Sequence, residues 1–178
     1  MYEGLFTCVK NFPEYGSAIM DVSSYFADAN AFNYAIDELH GSLSHSDIVV
    51  GVEAYGFVLG TAFAMKRGMG IVCLRKDRKL ALADLIVEYS MKYRPKNIMC
   101  ANSMLLKGRD CVIIDDVIDT TGTISAAIEL VEKSGARVVG IGSLIAEKSD
   151  NLAQLSKDYP FYSVYYFQDI LSKVRKQK

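Results

Sequence analysis

The segment from Cys111 to Thr123 restricts what this chain can fold into more than any other part of it. It consists of an apolar run, two adjacent acids, two further apolar residues and a loop of Asp, Thr and Gly. The β-branched residues 112–114 predict a buried parallel strand. After the loop, apolar residues follow the i, i+3, i+4, i+7 spacing of one helix face, at Ile124, Ala127, Ile128 and Val131. The segment therefore predicts a strand–loop–helix unit of an α/β sheet.

The same segment predicts a binding site for a phosphorylated sugar. Backbone N–H groups at the start of a helix hold a phosphate dianion, and the Thr hydroxyls add donors. Asp115 and Asp116 can accept hydrogen bonds from ribose hydroxyls. The alternative is a purely structural one, in which an Asx-type turn and an N-cap follow the strand. Two acids at a buried strand end are costly without a ligand or partner, which favours the binding site.

Composition excludes several other classes of protein. The chain has 178 residues, a formal net charge of −1 and a mean hydropathy of +0.14, as expected for one α/β domain with a full core. The chain has no overall excess of Lys and Arg that would indicate nucleic-acid binding. It also has no apolar run long enough to span a membrane. The four cysteines show no Cys-x-x-Cys spacing, which indicates a reducing compartment, and Cys73 and Cys111 are expected to be buried thiols. We expect a cytoplasmic protein with one domain over residues 1–178 and with neither a nucleic-acid nor a membrane partner.

Strands and helices are predicted to alternate along the chain. The predicted strands are Ile48–Val52, Ile71–Leu74, 112–114, Val138–Ile145 and Tyr162–Phe167, with a hairpin of Ile86–Tyr93 and Ile98–Leu105 around Arg94–Asn97. A helix with Asp28 or Asn30 as its N-cap precedes the first of these strands, and Asp77–Leu85 is predicted to be mobile. Such alternation indicates βαβ units and a mostly parallel sheet, whose strand C-terminal ends gather the ligand loops.

The segment from Cys111 to Thr123 resembles the phosphoribosyl pyrophosphate signature of type I phosphoribosyltransferases. Three more motifs resemble the adenine phosphoribosyltransferases and occur in the same order: Phe12-Pro13 to Gly16 followed by Asp21, Gly51–Phe57, and Arg75-Lys76 with Lys79-Leu80 ahead of Tyr89-Ser90 and Tyr93. The resemblance implies a single domain built on a twisted, mostly parallel sheet flanked by helices. A flexible loop and a small N-terminal hood segment would complete it.

The resemblance also implies the reaction. A purine nitrogen attacks the anomeric carbon of phosphoribosyl pyrophosphate, pyrophosphate leaves, and a nucleoside monophosphate is formed for purine salvage. The transition state is oxocarbenium-like, and closure of the flexible loop excludes water. Mg²⁺ is expected as the cofactor, held mainly through the donor, with Asp115 and Asp116 behind its direct ligands. A homodimer is implied as well.

Each part of the reaction is assigned its own residues by the resemblance. The residues expected to bind the ribose and its 5-phosphate are Asp115, Asp116, Asp119, Thr120, Thr121, Gly122 and Thr123. Those expected at the pyrophosphate are Glu53, Ala54, Tyr55, Arg75, Lys76 and Lys79. Those expected at the base are Ser17, Ala18, Ile19, Met20 and Glu147, and the catalytic candidates are Asp119, Lys92 and Tyr93.

Two departures from the family concern charge near the pyrophosphate. Tyr55 stands where the family has Arg, and it supplies neither a charge nor a bidentate fork. Lys76, Lys79 or Arg75 can supply the cation instead, or these three form a solvated basic loop. Lys92 replaces a Glu of the flexible loop, where it either meets the pyrophosphate or is a surface lysine.

Three further positions bear on the base. Ile19 replaces an aromatic residue that stacks on the base, so the aromatic wall is missing there. Asp119 replaces an Ala of the adenine enzymes and either acts as a general acid/base toward an oxopurine or bonds to solvent or a backbone N–H. Glu147 either reads an amino group or ring N–H of the base or points outward.

Three alternative functions are compatible with these residues. The first is transfer to a purine, with adenine as the expected base and hypoxanthine, guanine or xanthine as the alternatives that Asp119 favours. The second is a non-catalytic regulator that binds phosphoribosyl pyrophosphate, which the altered Tyr55 and Lys92 favour. Transfer to orotate or another pyrimidine shares the signature but fits the N-terminal segment poorly.

Overall fold

In the computed structural model, the described residues are 2–10, 18–76, 81–91 and 94–175. Ser17, Lys79, Lys92 and Tyr93 of the predicted site therefore lie outside the described residues. The strands are β1 (Thr7–Lys10), β2 (Ala18–Asp21), β3 (Ile48–Val52), β4 (Gly70–Lys76), β5 (Leu85–Met91), β6 (Arg94–Ala101), β7 (Asp110–Ile118), β8 (Arg137–Ala146) and β9 (Phe161–Tyr166). The α-helices are α1 (Ser23–Ala27), α2 (Ala29–Ser42), α3 (Tyr55–Arg67), α4 (Thr121–Lys133), α5 (Asp150–Asp158) and α6 (Phe167–Arg175).

Seven of the described strands form one sheet in the order β5-β6-β4-β3-β7-β8-β9. The pairs from β4 to β9 are parallel, and the hairpin of β5 and β6 adds antiparallel strands at one edge. The strands β1 and β2 form a separate antiparallel pair, which together with α1 makes the N-terminal hood. The predicted α/β fold with a mostly parallel sheet is confirmed.

Helices cover both faces of this sheet because alternate strand residues point to opposite sides. In β3, Ile48, Val50 and Val52 join the apolar cluster beneath α4, whereas Val49 joins the cluster beneath α2 and α3. All five residues of β3 are buried, as expected for a central parallel strand. The ligand loops are therefore confined to the strand ends.

The edge hairpin differs from its prediction in where it turns. Arg94 pairs with Met91, so the connection is residues 92–93, and the predicted turn Arg94–Asn97 lies within β6. The pairing of the two strands has a register irregularity between Tyr89 and Met91. The second strand ends at Ala101 rather than Leu105. Side chains of Asn102 and Asp84 accept hydrogen bonds from Met104 N and Ser103 N and turn the chain into a 3₁₀ segment.

Other element boundaries differ as well. The strand β7 continues through both acids to Ile118, and α4 begins at Thr121, so much of the predicted Thr/Gly loop is the first turn of a helix. Phe167, expected to end the last strand, begins α6 instead. The helices α1 and α5 have no counterpart in the prediction.

The predicted helix cap is confirmed, and one of the two cysteines expected to be buried is buried. Asp28 is the N-cap of α2, with its carboxylate accepting from Asn30 N and Ala31 N. Cys111 is buried as expected, but Cys73 is only half-buried because it lies on the face of β4 that α3 covers incompletely. Within the described ranges, no helix has the length and apolar character needed to cross a membrane.

Candidate active site

One cleft, with a volume of about 490 Å³, opens at the C-terminal ends of the parallel strands. The strands β4, β3, β7, β8 and β9 each contribute to it, either by their last residues or by those that follow. The strand β2 of the hood adds a further wall. The lining residues are Ile19, Met20, Glu53, Ala54, Tyr55, Lys76, Asp115, Asp116, Val117, Ile118, Asp119, Thr120, Thr123, Ile145, Glu147 and Phe167.

The paired acids are held by β7 at the floor of the cleft. Asp115 is only 3 % exposed, and its Oδ1 accepts a hydrogen bond from the backbone N–H of Asp116 at 2.9 Å. Burial raises the pKa of the Asp115 carboxyl well above its ordinary value, the charge of Asp116 adds to the rise, and Lys76 opposes it. The free protein therefore keeps a carboxyl group in an environment that disfavours its charge.

Gly56 allows α3 to start directly against these acids. A Cβ atom on Gly56 would lie 2.9 Å from the carbonyl oxygen of Ile114 and 3.1 Å from Oδ1 of Asp115. The backbone of the Glu53–Tyr55 turn thereby approaches the end of β7 more closely than any larger residue would allow. The Glu53–Ala54 peptide bond in this turn is cis.

The loop between β7 and α4 carries the predicted phosphate ligands. Thr120 and the buried Thr123 line the cleft, whereas Thr121 faces an outer groove between α4 and α5. In the part of the chain that is described, the N-cap residue Thr120 makes no side-chain capping hydrogen bond. The N–H groups that begin α4 thus remain for a ligand or water. Gly122 lies in this first turn without lining the cleft.

Asp119 is exposed at the mouth of the cleft. Its Oδ1 accepts a hydrogen bond from Thr120 N at 2.5 Å, which is one of the two roles considered for it. Because it also lines the cleft, its second carboxylate oxygen is available toward a ligand.

Adjacent basic residues at the end of β4 have different environments. Arg75 lies 3.4 Å from Oε1 of Glu53, and its guanidinium carbon lies 5.8 Å from the ring centroid of Phe57 on α3. Lys76 lines the cleft, while its backbone N–H donates to Oε2 of Glu53 at 2.6 Å. Of these two cations, Lys76 therefore faces the cleft, and Glu53 connects the ends of β3 and β4.

Tyr55, which the resemblance places at the pyrophosphate, packs against the hood. Its ring stacks on that of Phe26, with centroids 5.3 Å apart and planes inclined by 25°. Its hydroxyl lies 3.3 Å from Oγ of Ser23, and 42 % of the residue remains exposed. Tyr55 therefore connects α1 to the turn after β3, a contact that the sequence motif does not reveal.

The opposite end of the cleft is mostly apolar. Ile19 is 37 % exposed there, Met20 is buried beside it, and the backbone of Ala18 starts the same strand β2. Glu147 is exposed immediately after β8 and lines the cleft. Four lining residues are missing from the predicted site: Val117, Ile118, Ile145 and Phe167. All four end predicted strands or follow the acids, so strand-end topology could have identified them.

Metal-binding groups are sparse. Across the described residues, no group of three or more His, Cys, Asp or Glu side chains is arranged to hold a metal ion. The adjacent carboxylates of Asp115 and Asp116 are oxygen ligands of the type that Mg²⁺ takes when substrate phosphates complete its coordination. This donor set fits an ion that arrives with a phosphorylated substrate.

Comparisons with known proteins agree with this geometry. The family model for the phosphoribosyl transferase domain matches residues 23–169. The adenine phosphoribosyltransferase of Caldicellulosiruptor saccharolyticus is 36% identical over 168 residues, which cover 93% of this chain and 96% of that protein. The crystal structure of adenine phosphoribosyltransferase from Thermoanaerobacter pseudethanolicus has a TM-score of 0.85 at 32% identity, covering 93% of this chain and 97% of that one.

A third relative was solved with a ligand. The APRTase from Giardia lamblia, in complex with 9-deazaadenine, has a TM-score of 0.85 at 27% identity and covers 92% of this chain and 94% of that one. The family model spans the turn after β3, the acidic signature and Phe167, and the Caldicellulosiruptor match covers 93% of the chain. The chain belongs to the phosphoribosyltransferase family and is an enzyme of that class.

Proposed function

We propose that this enzyme transfers the phosphoribosyl group of phosphoribosyl pyrophosphate to adenine, giving adenosine monophosphate and pyrophosphate for purine salvage. The observation that carries the proposal is the order of chemistry along the sheet. Lys76 and the Glu53–Tyr55 turn lie at the ends of β4 and β3, the paired acids at the end of β7, and apolar walls at β8 and β9. That order matches a donor whose ribose separates the leaving pyrophosphate from the incoming base.

The centre of the cleft suits the ribose 5-phosphate. Asp115 and Asp116 accept hydrogen bonds from the ribose hydroxyls, which replaces lost hydration of the buried carboxyl. The N–H groups at the start of α4, with the hydroxyls of Thr120 and Thr123, donate to the phosphate. Thr121 and Gly122 contribute through their backbone. Asp119 takes the proton of the attacking base with its free oxygen.

The β3–β4 end suits the leaving group. The N–H groups of Ala54 and Tyr55 and the ammonium of Lys76 donate to the pyrophosphate, and Arg75 adds positive charge beside Glu53. Lys79, outside the described residues, remains a proposed pyrophosphate residue. Lys92 and Tyr93 remain proposed loop residues that close over it. Mg²⁺, held mainly by the pyrophosphate and ribose oxygens with Asp115 and Asp116 next to it, would neutralise charge on the leaving group.

The base lies at the β8–β9 end in this proposal. Ile19 and Met20 of β2 form one side of its pocket. Ala18 and Ser17, the latter outside the described residues, remain proposed base residues. Glu147 accepts a hydrogen bond from the exocyclic amino group, a contact that favours adenine over hypoxanthine, because the oxygen of hypoxanthine cannot donate.

The test is pyrophosphate release from magnesium–phosphoribosyl pyrophosphate with adenine, hypoxanthine, guanine, xanthine or orotate in separate reactions. Release with adenine in clear preference to the other bases is expected. Preference for an oxopurine would mean that Asp119 sets the base instead of Glu147. Donor binding in calorimetry without release from any base would replace the enzyme by a regulator that binds phosphoribosyl pyrophosphate.

Thr123→Ala is expected to raise the KM for phosphoribosyl pyrophosphate by about tenfold or more, because one buried phosphate donor is lost at a cost of about 1–3 kcal/mol. Steady-state kinetics with donor varied at saturating adenine measure this change. Ser125→Ala, two residues further along α4 on its exposed side, is the matched control and should leave the KM unchanged. Equal effects of the two variants would contradict the assignment of the phosphate loop.

We also propose that the enzyme is a homodimer and that α3 forms the interface. Tyr55, Val58 and Met65 share one side of α3 and are 42 %, 45 % and 77 % exposed, an apolar stripe continuous with the cleft. Light scattering should give twice the chain mass of 19.7 kDa, and Met65→Lys should shift the mass toward the monomer. Met104→Lys, at an equally exposed methionine of the 3₁₀ segment after β6, should not. A monomeric native protein would reject the proposal.

We propose the cytoplasm as the compartment and residues 1–178 as one domain. Cys8, Cys73, Cys100 and Cys111 form no disulfide bond, which fits a reducing environment. Cell fractionation tests the compartment, and a single unfolding transition by two spectroscopic probes tests the domain.

A further inference from the structure

We infer that Phe167 is the aromatic wall on which the purine base stacks, and that Gln168 positions it. This role deepens the proposed function and rests on it. Among the described residues that line the cleft, two carry aromatic rings, Tyr55 and Phe167. The ring of Tyr55 is stacked on Phe26 at the pyrophosphate end. Within the described ranges, Phe167 is therefore the ring that lines the β8–β9 end.

The position of Phe167 follows from the register of the last two strands. Tyr166 is paired with Ala146, and the residues that follow this pair are Phe167 and Glu147. The two side chains that line the cleft at this end thus emerge from neighbouring strand ends. Phe167 is half-buried and packs against the apolar cluster that contains Ile145. One side of the Phe167 side chain is therefore held by this cluster, and another side borders the cleft.

The first turn of α6 is fastened to the chain that leaves β8. Oε1 of Gln168 accepts from Lys148 N at 3.1 Å, and Nε2 of Gln168 donates to Lys148 O at 3.2 Å. Nζ of Lys148 also pairs with Asp169 at 2.9 Å, but both partners are exposed, so this ion pair contributes little. The reciprocal amide contact fixes the start of α6, and with it Phe167, relative to Glu147.

These contacts give a base pocket of defined chemistry. A planar purine gains affinity by stacking on an aromatic face, and every purine offers such a face. A carboxylate beside the ring edge then selects for an amino group. Among the described residues of β2, Ile19 and Met20 line the cleft without an aromatic ring, and Phe167 supplies one from the opposite end of the chain.

The first test is kinetic. Phe167→Ala should raise the KM for adenine by about tenfold, with the KM for phosphoribosyl pyrophosphate changed less than about twofold. Phe167→Tyr should retain the native KM. Phe161→Ala is the matched control, since Phe161 is a half-buried ring at the other end of β9, away from the cleft. Phe167→Leu keeps the apolar volume without the ring and replaces the Ala variant if that variant does not fold.

Gln168→Ala tests whether Gln168 positions Phe167 for the base or only stabilises the fold. It should raise the KM for adenine by a smaller factor, about threefold, with kcat and the melting temperature nearly unchanged, because only an exposed amide contact is removed. A fall in melting temperature without a change in KM would assign Gln168 a structural role only.

The second test detects contact between the base and residue 167 by fluorescence. The chain contains no tryptophan, so Phe167→Trp introduces a unique fluorophore at the proposed wall. Adenosine monophosphate should change its emission saturably, ribose 5-phosphate should not, and Phe161→Trp should respond to neither. The inference is overturned if Phe167→Ala leaves the KM for adenine unchanged, or if adenosine monophosphate does not change the emission of Phe167→Trp. In either case the proposed function still holds, provided that the native protein turns over adenine. If the native protein turns over no base, the titration still decides whether a base binds at Phe167.

Discussion

Asp115→Asn combined with Asp116→Asn is expected to abolish turnover and, at the same time, to stabilise the ligand-free protein. Turnover fails because amide groups cannot provide the negative charge that faces the ribose hydroxyls and the donor-bound cation. Stability rises because Asp115 is buried with a like charge beside it, whereas an asparagine at that position would keep the shape and the Oδ1 acceptor for the N–H of residue 116. A gain of about 1–3 kcal/mol is expected, roughly 2–4 °C in melting temperature per kcal/mol.

The effect should depend on pH in a definite direction. The pKa of the Asp115 carboxyl is raised in the folded state, so folding favours its protonated form. The stability that this proton contributes is fully present below the unfolded-state pKa and is lost as pH rises through the folded-state pKa. The variant should therefore gain little over the native protein in acid and most near neutral pH.

Thermal unfolding across this pH range, with and without magnesium–phosphoribosyl pyrophosphate, measures both effects. The donor should raise the melting temperature of the native protein and not that of the variant. Asp158→Asn, at an exposed position of α5, controls for the loss of one negative charge. It should change neither the melting temperature of the free protein nor the rise that the donor causes. Retained turnover in the double variant would mean that the donor binds elsewhere, and a lower melting temperature would mean that the acids stabilise the free fold.

Gly56→Ala is the second change with a large expected effect. The added Cβ would lie 2.9 Å from the carbonyl oxygen of Ile114, and this backbone atom of a central strand cannot swing aside. The start of α3 must move instead, at a cost of about 1–3 kcal/mol of stability. That movement carries the Ala54–Tyr55 backbone away from the acids, so turnover should fall on the order of 10²-fold.

Gly41→Ala is the matched control for this substitution. Gly41 lies in α2, and a Cβ atom added there would have no neighbouring atom within 4 Å, so the change should leave turnover intact and stability equal or slightly higher. Denaturant unfolding and steady-state kinetics on both variants give the comparison. Native turnover in Gly56→Ala would show that close approach of α3 to β7 is not needed for the reaction.

Much of the central unit could be predicted because its signals are local. The β-branched run before Asp115 and the helical spacing after Ile124 specify a strand and a helix whatever their surroundings. Strand alternation could also have separated Arg75 from Lys76. Val72 and Leu74 lie under α4, so Lys76 shares their face, and Arg75 points toward α3.

The rest of the cleft depends on contacts between distant parts of the chain. The strand pattern predicts that Phe167 ends a strand, whereas only the folded chain shows that it begins α6 and that Gln168 fastens this helix to the residues after β8. Tyr55 and Phe26 are far apart in sequence, and their stacking requires the hood to close on the turn after β3. No local pattern encodes either contact.

The fold class, the family and the strand end at which chemistry occurs all follow from the amino-acid sequence, because periodicity and a contiguous motif carry that information. Two other features follow from the folded chain alone: what Tyr55 contacts, and how α6 docks beside the base end of the cleft. These features arise where separate strand ends converge, and the packing of the sheet and its helices sets that convergence.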